Sequence, residues 1–270
     1  MLLKEYLHVA TTICEERNLE IEAIKKLLIE LKYQSAANLI LSMNDELDES
    51  LISIINQYLE KRIPIQYILG YTYFYGMKIK VNENVLIPRD DTERLVDTAI
   101  YEINKNNYNS CLDLCTGSGI IGLSIKKETN IDVYASDISD KALEVAIDNS
   151  TELGLDVHYI QSDLLENIDK QFDIIVSNPP YISYDEYVQD IVLENEPHLA
   201  LFAENEGLYF YEKILDQIKL KQKKVKMIIF EIGYKQALGV SRLAKERFND
   251  CEIEIIKDYA GLDRVVKIII

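Results

Sequence analysis

From Ser110 to the end of the chain, short apolar, β-branched runs alternate with longer stretches whose apolar residues recur at helical spacing. A chain with that rhythm has few ways to bury both patterns, and the alternation favours a mainly parallel, doubly wound sheet with helices on its faces. The candidate strands are Cys111–Leu114, Asp132–Ser136, Val157–Ile160, Asp173–Ser177, Val225–Glu231, Ile253–Ile256 and Val265–Ile269. Amphipathic helices fit between most of them, such as Lys141–Leu153 and Leu208–Ile218. Only a short link containing Gly261 joins the last two strands. A crossover helix does not fit there, so that pair is expected to be antiparallel.

The upstream part has a different texture. There is no Gly before Gly70 and no Pro before Pro64. Leu3, Tyr6, Leu7, Ala10, Ile13 and Cys14 form one apolar stripe, Ile21, Ile24, Leu27, Leu28 and Leu31 a second, and Leu51, Ile54, Ile55, Tyr58 and Leu59 a third. This predicts a small helical bundle ending near Arg62-Ile63-Pro64. Tyr71–Val81 is aromatic and β-branched around Gly76, a hairpin pattern, with Tyr71, Tyr73, Phe74 and Tyr75 expected in its core. A helix should follow from Thr92, with Thr92 as its cap. The expected organisation is residues 1–68 helical, 69–90 a β-hairpin linker and 91–270 the α/β domain.

Composition narrows the function classes. The formal net charge is −17. Nucleic-acid affinity comes largely from Lys and Arg neutralising phosphates, so a wide nucleic-acid-binding face is not expected. No apolar run approaches the ~20 residues that cross a bilayer. The amino-terminal stretch alternates apolar and charged residues, unlike a secretory signal. A soluble, cytoplasmic monomer is the expectation, with no membrane association. The four cysteines, Cys14, Cys111, Cys115 and Cys251, form no close pair, and only three histidines are present. No metal site is expected, and the thiols read as reduced.

The chemistry should sit at the carboxyl ends of the strands. Gly117 and Gly119 lie in the turn after Leu114, where glycine lets the backbone approach a ligand closely. Asp113 precedes that turn. Asp137 ends the next strand, 18 residues beyond Gly119, near the ~20 expected of a carboxylate that accepts ribose hydroxyls. Ser162-Asp163 follows the third strand, within reach of an adenine edge. Gly117, Gly119 and Gly122 also match the dinucleotide pattern. The fourth strand argues against a dehydrogenase, because it runs into Asn178-Pro179-Pro180-Tyr181.

Two consecutive prolines lack N–H groups and hold the chain extended. The Pro179 carbonyl and the Asn178 side-chain oxygen become two neighbouring acceptors, suited to both hydrogens of one planar –NH2. Tyr181 offers an aromatic face to a flat substrate.

The glycine turn, Asp137 and the Asn-Pro-Pro-Tyr loop together resemble the amino-group branch of the S-adenosylmethionine-dependent methyltransferases. The stretches Pro64–Gly76 and Val85–Asp97, Asn195-Glu196-Pro197, Phe230–Gln236 and Asp258–Val266 are similar to the protein-(glutamine-N5) methyltransferases that act on peptide chain release factors. The similarity runs from about Pro64 to the end, and the helical first part matches in type and length.

That resemblance implies a helical substrate-recognition domain, a hairpin linker and a seven-stranded, Rossmann-like catalytic domain. It implies methylation of the glutamine in a Gly-Gly-Gln tripeptide, with release factors as partners and S-adenosylhomocysteine as product. Cys115, Thr116, Gly117, Ser118, Gly119, Asp137, Leu164 and Asn178 would contact the cofactor, joined by Asp113 and Asp163 on their positions. Asn178, Pro179, Pro180 and Tyr181 would hold the glutamine, with Asn178, Pro179 and Tyr181 as the catalytic set. The chain departs from the family at Asp90-Asp91, where Pro-Glu is usual, and at the lysine-rich stretch Lys221–Lys226, where a glycine is common. The first departure bears on how the linker closes.

Two other readings compete. The same loop would suit the amino group of adenine in a nucleic acid, against which stand the charge and the linker resemblance. A non-catalytic nucleoside-binding module would not need the complete Asn-Pro-Pro-Tyr loop. His8 and His158 are expected to be non-catalytic, and Asp185 and Glu186 to sit on a solvated loop. Arg89 is expected to anchor the linker. His198 and Glu231 stay open, Glu231 between a place in the site and a capping or linker contact.

Overall fold

The computed structural model describes residues 1–221 and 224–270. The lysine-rich stretch therefore falls partly on residues 222 and 223, outside the described ones. The chain divides into two compact units, Met1–Tyr71 with Gln189–Asn195, and Thr72–Val188 with Glu196–Ile270.

The first unit is helical: α1 Leu3–Arg17, α2 Ile21–Leu28, α3 Ala36–Leu41, α4 Glu49–Lys61 and α5 Ile65–Leu69. Its core is made from the expected stripes, with Leu3, Ala10, Ile24, Leu27, Leu28 and Ile55 fully enclosed. Leu31 departs from expectation. A π-helical turn over Ile29–Tyr33 continues α2 and shifts the phase of its apolar face. Leu31 is 41% exposed as a result, and Tyr33 takes the buried position at 6%.

The second unit opens with a hairpin, β1 Tyr71–Phe74 and β2 Met77–Lys80. Tyr75 and Gly76 both take positive φ, 49° and 69°, as a tight two-residue turn requires. Of the four aromatics expected in its core, Phe74 is buried, whereas Tyr73 is 56% exposed because alternate strand residues face opposite sides. Helix α6 (Thr92–Asn106) starts where the sequence placed it, but Asp91 holds the cap position and no side chain caps the helix. Thr92 is the first helical residue, 1% exposed and turned inward.

Strands β3 Ser110–Leu114, β4 Asp132–Asp137, β5 His158–Gln161, β6 Ile174–Ser177, β7 Met227–Glu231, β8 Glu252–Lys257 and β9 Asp263–Ile269 form one sheet. Helices α7 Ile120–Thr129, α8 Asp140–Leu153, α10 Tyr209–Leu220 and α11 Ala237–Arg247 connect them, while α9 (Asp190–Asn195) belongs to the first unit. The order is β5-β4-β3-β6-β7-β9-β8. All pairings are parallel except those of β9, which runs antiparallel to β7 and β8. The strand order reverses at β3, placing a crevice outside the carboxyl ends of β3, β4 and β6. No helix among the described residues is long and apolar enough to cross a membrane.

Candidate active site

The turn after β3 is built on left-handed backbone, with φ of 59° at Cys115, 54° at Gly117 and 87° at Gly119. A Cβ on Gly117 would meet no atom within 4 Å, so that face of the turn is open. Gly119 is closed in, its Cβ position lying 3.1 Å from the Ala146 side chain. The turn rests on Asp113, whose Oδ2 accepts from the Thr116 hydroxyl at 2.6 Å and the Gly122 N–H at 2.9 Å. Burial raises the Asp113 carboxyl to about 7, against the pull of those two hydrogen bonds. Asn149, fully buried, ties the turn to the hairpin by donating to the Ser118 and Lys80 carbonyls at 3.0 and 3.1 Å.

Asp137 ends β4 beside this turn. Its Oδ2 accepts from the Gly117 N–H at 2.9 Å and its Oδ1 from the Ser139 N–H at 3.0 Å. Burial raises its pKa and these backbone donors oppose the rise. A cavity of about 310 Å³ opens here, and Cys115, Thr116, Gly117, Ser118, Asp137, Asp163 and Leu164 line it. Asn178 and Pro180 line the same cavity. Asp113, Gly119, Pro179 and Tyr181 are not in its wall. Asp113 and Gly119 instead hold the turn from behind.

Asn178 follows the last residue of β6. Its Nδ2 donates to the Thr92 hydroxyl at 3.4 Å, and its Oδ1 accepts from none of the described residues. The Pro179 carbonyl likewise receives no hydrogen bond among the described residues, since Pro180 has no N–H to offer nearby. The far side of the loop is pinned. Gln236 donates to the Tyr181 carbonyl at 2.8 Å while its own Oε1 accepts from the Gly233 N–H at 2.9 Å. Ile182 and Ala203 complete a bridge, with bonds of 2.9 Å from Ile182 N–H to Leu201 and from Ala203 N–H to Ile182.

Glu231 ends β7 next to this loop and is 1% exposed, with Oε2 unpaired. Burial lifts its carboxyl to about 7, against the influence of the neighbouring Thr92 and Tyr181 hydroxyls and the positive charge of Arg264. Asp91, one of the two unusual acidic residues, pairs with Arg264 at 3.1 Å, and Asp258 holds the same guanidinium at 3.0 Å. A measurable consequence follows for pH. The unfolded carboxyl titrates near 4.5 and the folded one near 7. Raising the pH between those values deprotonates the unfolded chain first and lowers stability. Glu231→Gln removes that cost, so thermal melts should show the variant gaining on the wild type between pH 5 and pH 8. An unchanged difference in midpoint would contradict the buried carboxyl.

Sequence reasoning passed over several wall residues, including Asn84, Leu86, Thr92, Leu199, Phe210 and Lys213. It also gave Glu196 no role. Glu196 is 4% exposed, and its Oε2 accepts from the Ile87 N–H at 3.0 Å and its Oε1 from Arg89 at 2.5 Å. Arg89 therefore anchors its segment through Glu196. The only signal in the sequence was the resemblance at Asn195-Glu196-Pro197. His198 packs edge-on against Phe202, with ring centres 5.6 Å apart, and is not in the cavity wall.

A nucleoside-sized cavity that starts at an open glycine turn and ends at a side-chain oxygen with no partner among the described residues suits a methyltransferase, which must hold a methyl donor against the atom it modifies. Residues 93–200 match the methyltransferase small domain family. The chain is 41% identical over 252 residues to release factor glutamine methyltransferase of Lactococcus lactis, covering 92% of this chain and 93% of that one. It is 38% identical over 254 residues to release factor glutamine methyltransferase of Streptococcus pneumoniae, covering 92% and 91%. The chain belongs to the release factor glutamine methyltransferase family. In fold it is similar to the catalytic domain of hMettl16 in complex with MAT2A 3'UTR hairpin 6, with a TM-score of 0.56, 14% identity, and coverage of 80% of this chain and 79% of that one.

Proposed function

We propose that the chain transfers a methyl group from S-adenosylmethionine to the side-chain amide nitrogen (N5) of the glutamine in the Gly-Gly-Gln motif of peptide chain release factors. The observation that carries this reading is the pair of oxygens on Asn178 and Pro179 that no described residue claims, beside a cavity that runs to the Gly117 turn.

The residues present fit the cofactor. The open face of Gly117 leaves room for a close approach, Asp137 keeps lone pairs for ribose hydroxyls, and Asp163 and Leu164 flank the place of the base. S-adenosylmethionine, when bound, supplies a methyl carbon activated by its sulfonium and leaves as S-adenosylhomocysteine. The protein's task is orientation. An amide nitrogen is a weak nucleophile because its lone pair is delocalised into the carbonyl. Asn178 Oδ1 and the Pro179 carbonyl accept both N–H groups, polarise the nitrogen and aim its electrons along one line; the sulfur keeps the electron pair of the broken S–C bond, and the proton that the methylated nitrogen sheds passes to solvent. Orientation of this kind contributes ~7–11 kcal/mol in well-aligned systems. Tyr181, held by Gln236, provides a face for the flat amide.

We assign the helical residues 1–68 to substrate recognition, residues 69–90 to a hairpin linker and residues 91–270 to catalysis. All residues lining the cavity come from the second compact unit, which leaves the first free for recognition. The test is mass spectrometry of a release factor incubated with the protein and S-adenosylmethionine. One added methyl on the glutamine of Gly-Gly-Gln is expected. Methyl groups entering nucleic acid alone, from a parallel incubation, would sink the reading in favour of adenine.

A further inference from the structure

We propose that Gln236 is a positioning residue, whose side-chain amide clasps the Tyr181 carbonyl and so fixes the far end of the stiff arm that carries the Pro179 oxygen. The inference rests on the function proposed above and adds what places the acceptor that has no side chain to steer it.

The Asn-Pro-Pro-Tyr loop has little means of holding itself. Pro179 and Pro180 offer no N–H. Among the described residues, one hydrogen bond reaches the main chain of residues 179–181, from Gln236 Nε2 to the Tyr181 carbonyl at 2.8 Å. The arm is nevertheless stiff. Each proline ring fixes its own φ, and each proline confines the residue before it to extended torsions. A stiff piece swings as a unit unless both of its ends are held. Strand β6, paired with β7 as far as Ser177 opposite Phe230, holds the first end. Gln236 holds the second.

The clasp is itself oriented. The turn from Gly233 to Gln236 follows β7 and is closed twice, by the Gln236 N–H on the Gly233 carbonyl and by the Gly233 N–H on Gln236 Oε1, each at 2.9 Å. The Ile232 N–H ties it to β9 by donating to the Arg264 carbonyl at 2.9 Å. The Tyr211 hydroxyl lies 3.5 Å from the same Oε1. Both hydrogens of Nε2 are used, on the Tyr181 carbonyl and, at 3.2 Å, on the Glu206 carbonyl. Turning the amide over would set its oxygen against two carbonyls and its –NH2 against an N–H, so one orientation is allowed. The position therefore needs a side chain of this reach that donates twice and accepts. A glutamate reaches as far but, ionised, only accepts. A methionine has similar length and donates nothing. These two replacements separate a clasp from mere packing.

The experiment measures methylation of a full-length release factor by the full chain, as kcat and substrate KM between pH 5.5 and pH 8.5, with cofactor affinity by calorimetry and a thermal melt. At pH 8.5 Gln236→Glu should lose roughly 10- to 100-fold in kcat, the scale of a displacement near 1 Å at an orienting group. Substrate KM and cofactor affinity should stay within a few-fold of wild type, since the turn at Gly117 and Asp137 is held by separate contacts. Protonating the introduced carboxyl restores one donor for the Tyr181 carbonyl while its other oxygen still accepts from the Gly233 N–H. The ratio of variant to wild-type kcat should therefore rise several-fold as the pH falls to 5.5. The titratable groups around the clasp, Tyr181, Glu206, Tyr211, Glu231 and Lys235, are present in both proteins, and the ratio cancels their own titration. Gln236→Met should lose as much at pH 8.5 and recover nothing in acid. Wild-type kcat in a folded Gln236→Met, or a Gln236→Glu ratio that stays flat with pH, would overturn the proposal. If Gln236→Glu melts early at pH 8.5, Gln236→Met and the acid limb of Gln236→Glu still decide it. If the wild type does not methylate release factor, the proposed function fails instead.

Discussion

Asn178→Ala is expected to lower turnover by roughly 100-fold or more, the scale of losing one hydrogen bond made in the transition state, while the protein stays folded. Asn178 is partly exposed and lines the cavity, so truncation opens no hole in the core. On the mechanism proposed above, what disappears is one of two oxygens that accept the substrate N–H groups. The Pro179 carbonyl remains, so the amide still docks, but by one bond and free to rotate about it. The effect should therefore fall mainly on kcat rather than on substrate KM. Single-turnover methylation of release factor checks it, with a thermal melt as control. Near-normal turnover in a folded variant would remove Asn178 from the mechanism.

The second large effect lies outside the cavity wall. Gly207→Ala places a Cβ 2.0 Å from the Tyr181 carbonyl oxygen and 2.3 Å from the Gln236 amide nitrogen. Neither can easily give way. The carbonyl is main chain, held by Gln236, and Gln236 is held by the Gly233 N–H. Gly207 also sits at φ 80°, where an alanine is strained whatever the space. Either the 204–207 turn or the Asn-Pro-Pro-Tyr loop must move. We expect a destabilisation of about 1–3 kcal/mol from the overpacking. We also expect a fall in activity of roughly 100-fold, because a displacement near 1 Å at an orienting loop costs that much. Cofactor affinity should change little, since the turn at Gly117 and Asp137 is held by separate contacts. A variant that methylates like the wild type would show that the loop does not depend on this backing.

Much of the fold was legible because it is written in local periodicity. The strands lie within one or two residues of the apolar runs, and the short link at Gly261 identified the antiparallel pair. The chemistry that lies close to a strand end was legible too. Glycines after one strand, a carboxylate after the next and two prolines after the fourth each have a local physical meaning. Thr92 shows the limit of such reading. Its residue type and place before a helical stretch suggested a cap, and both were compatible with the role it takes, an inward hydroxyl against Asn178. Leu31 shows another limit, because a π-turn depends on packing rather than on spacing and moved a residue from the apolar stripe into solvent.

The amino-acid order settled the class of fold, the rigid extended loop and the acceptor chemistry of Asn178 and Pro179, since these follow from torsions and atoms that each residue carries with it. The partners were assigned by folding. Asn178 with Thr92, Glu196 with Arg89, Gln236 with Tyr181 and Asp91 with Arg264 are each distant in the chain, and no local pattern encodes which buried donor will meet which acceptor. Strand order and helix docking bring them together, and only then is it decided which oxygens are used up in holding the loop and which stay without a partner among the described residues.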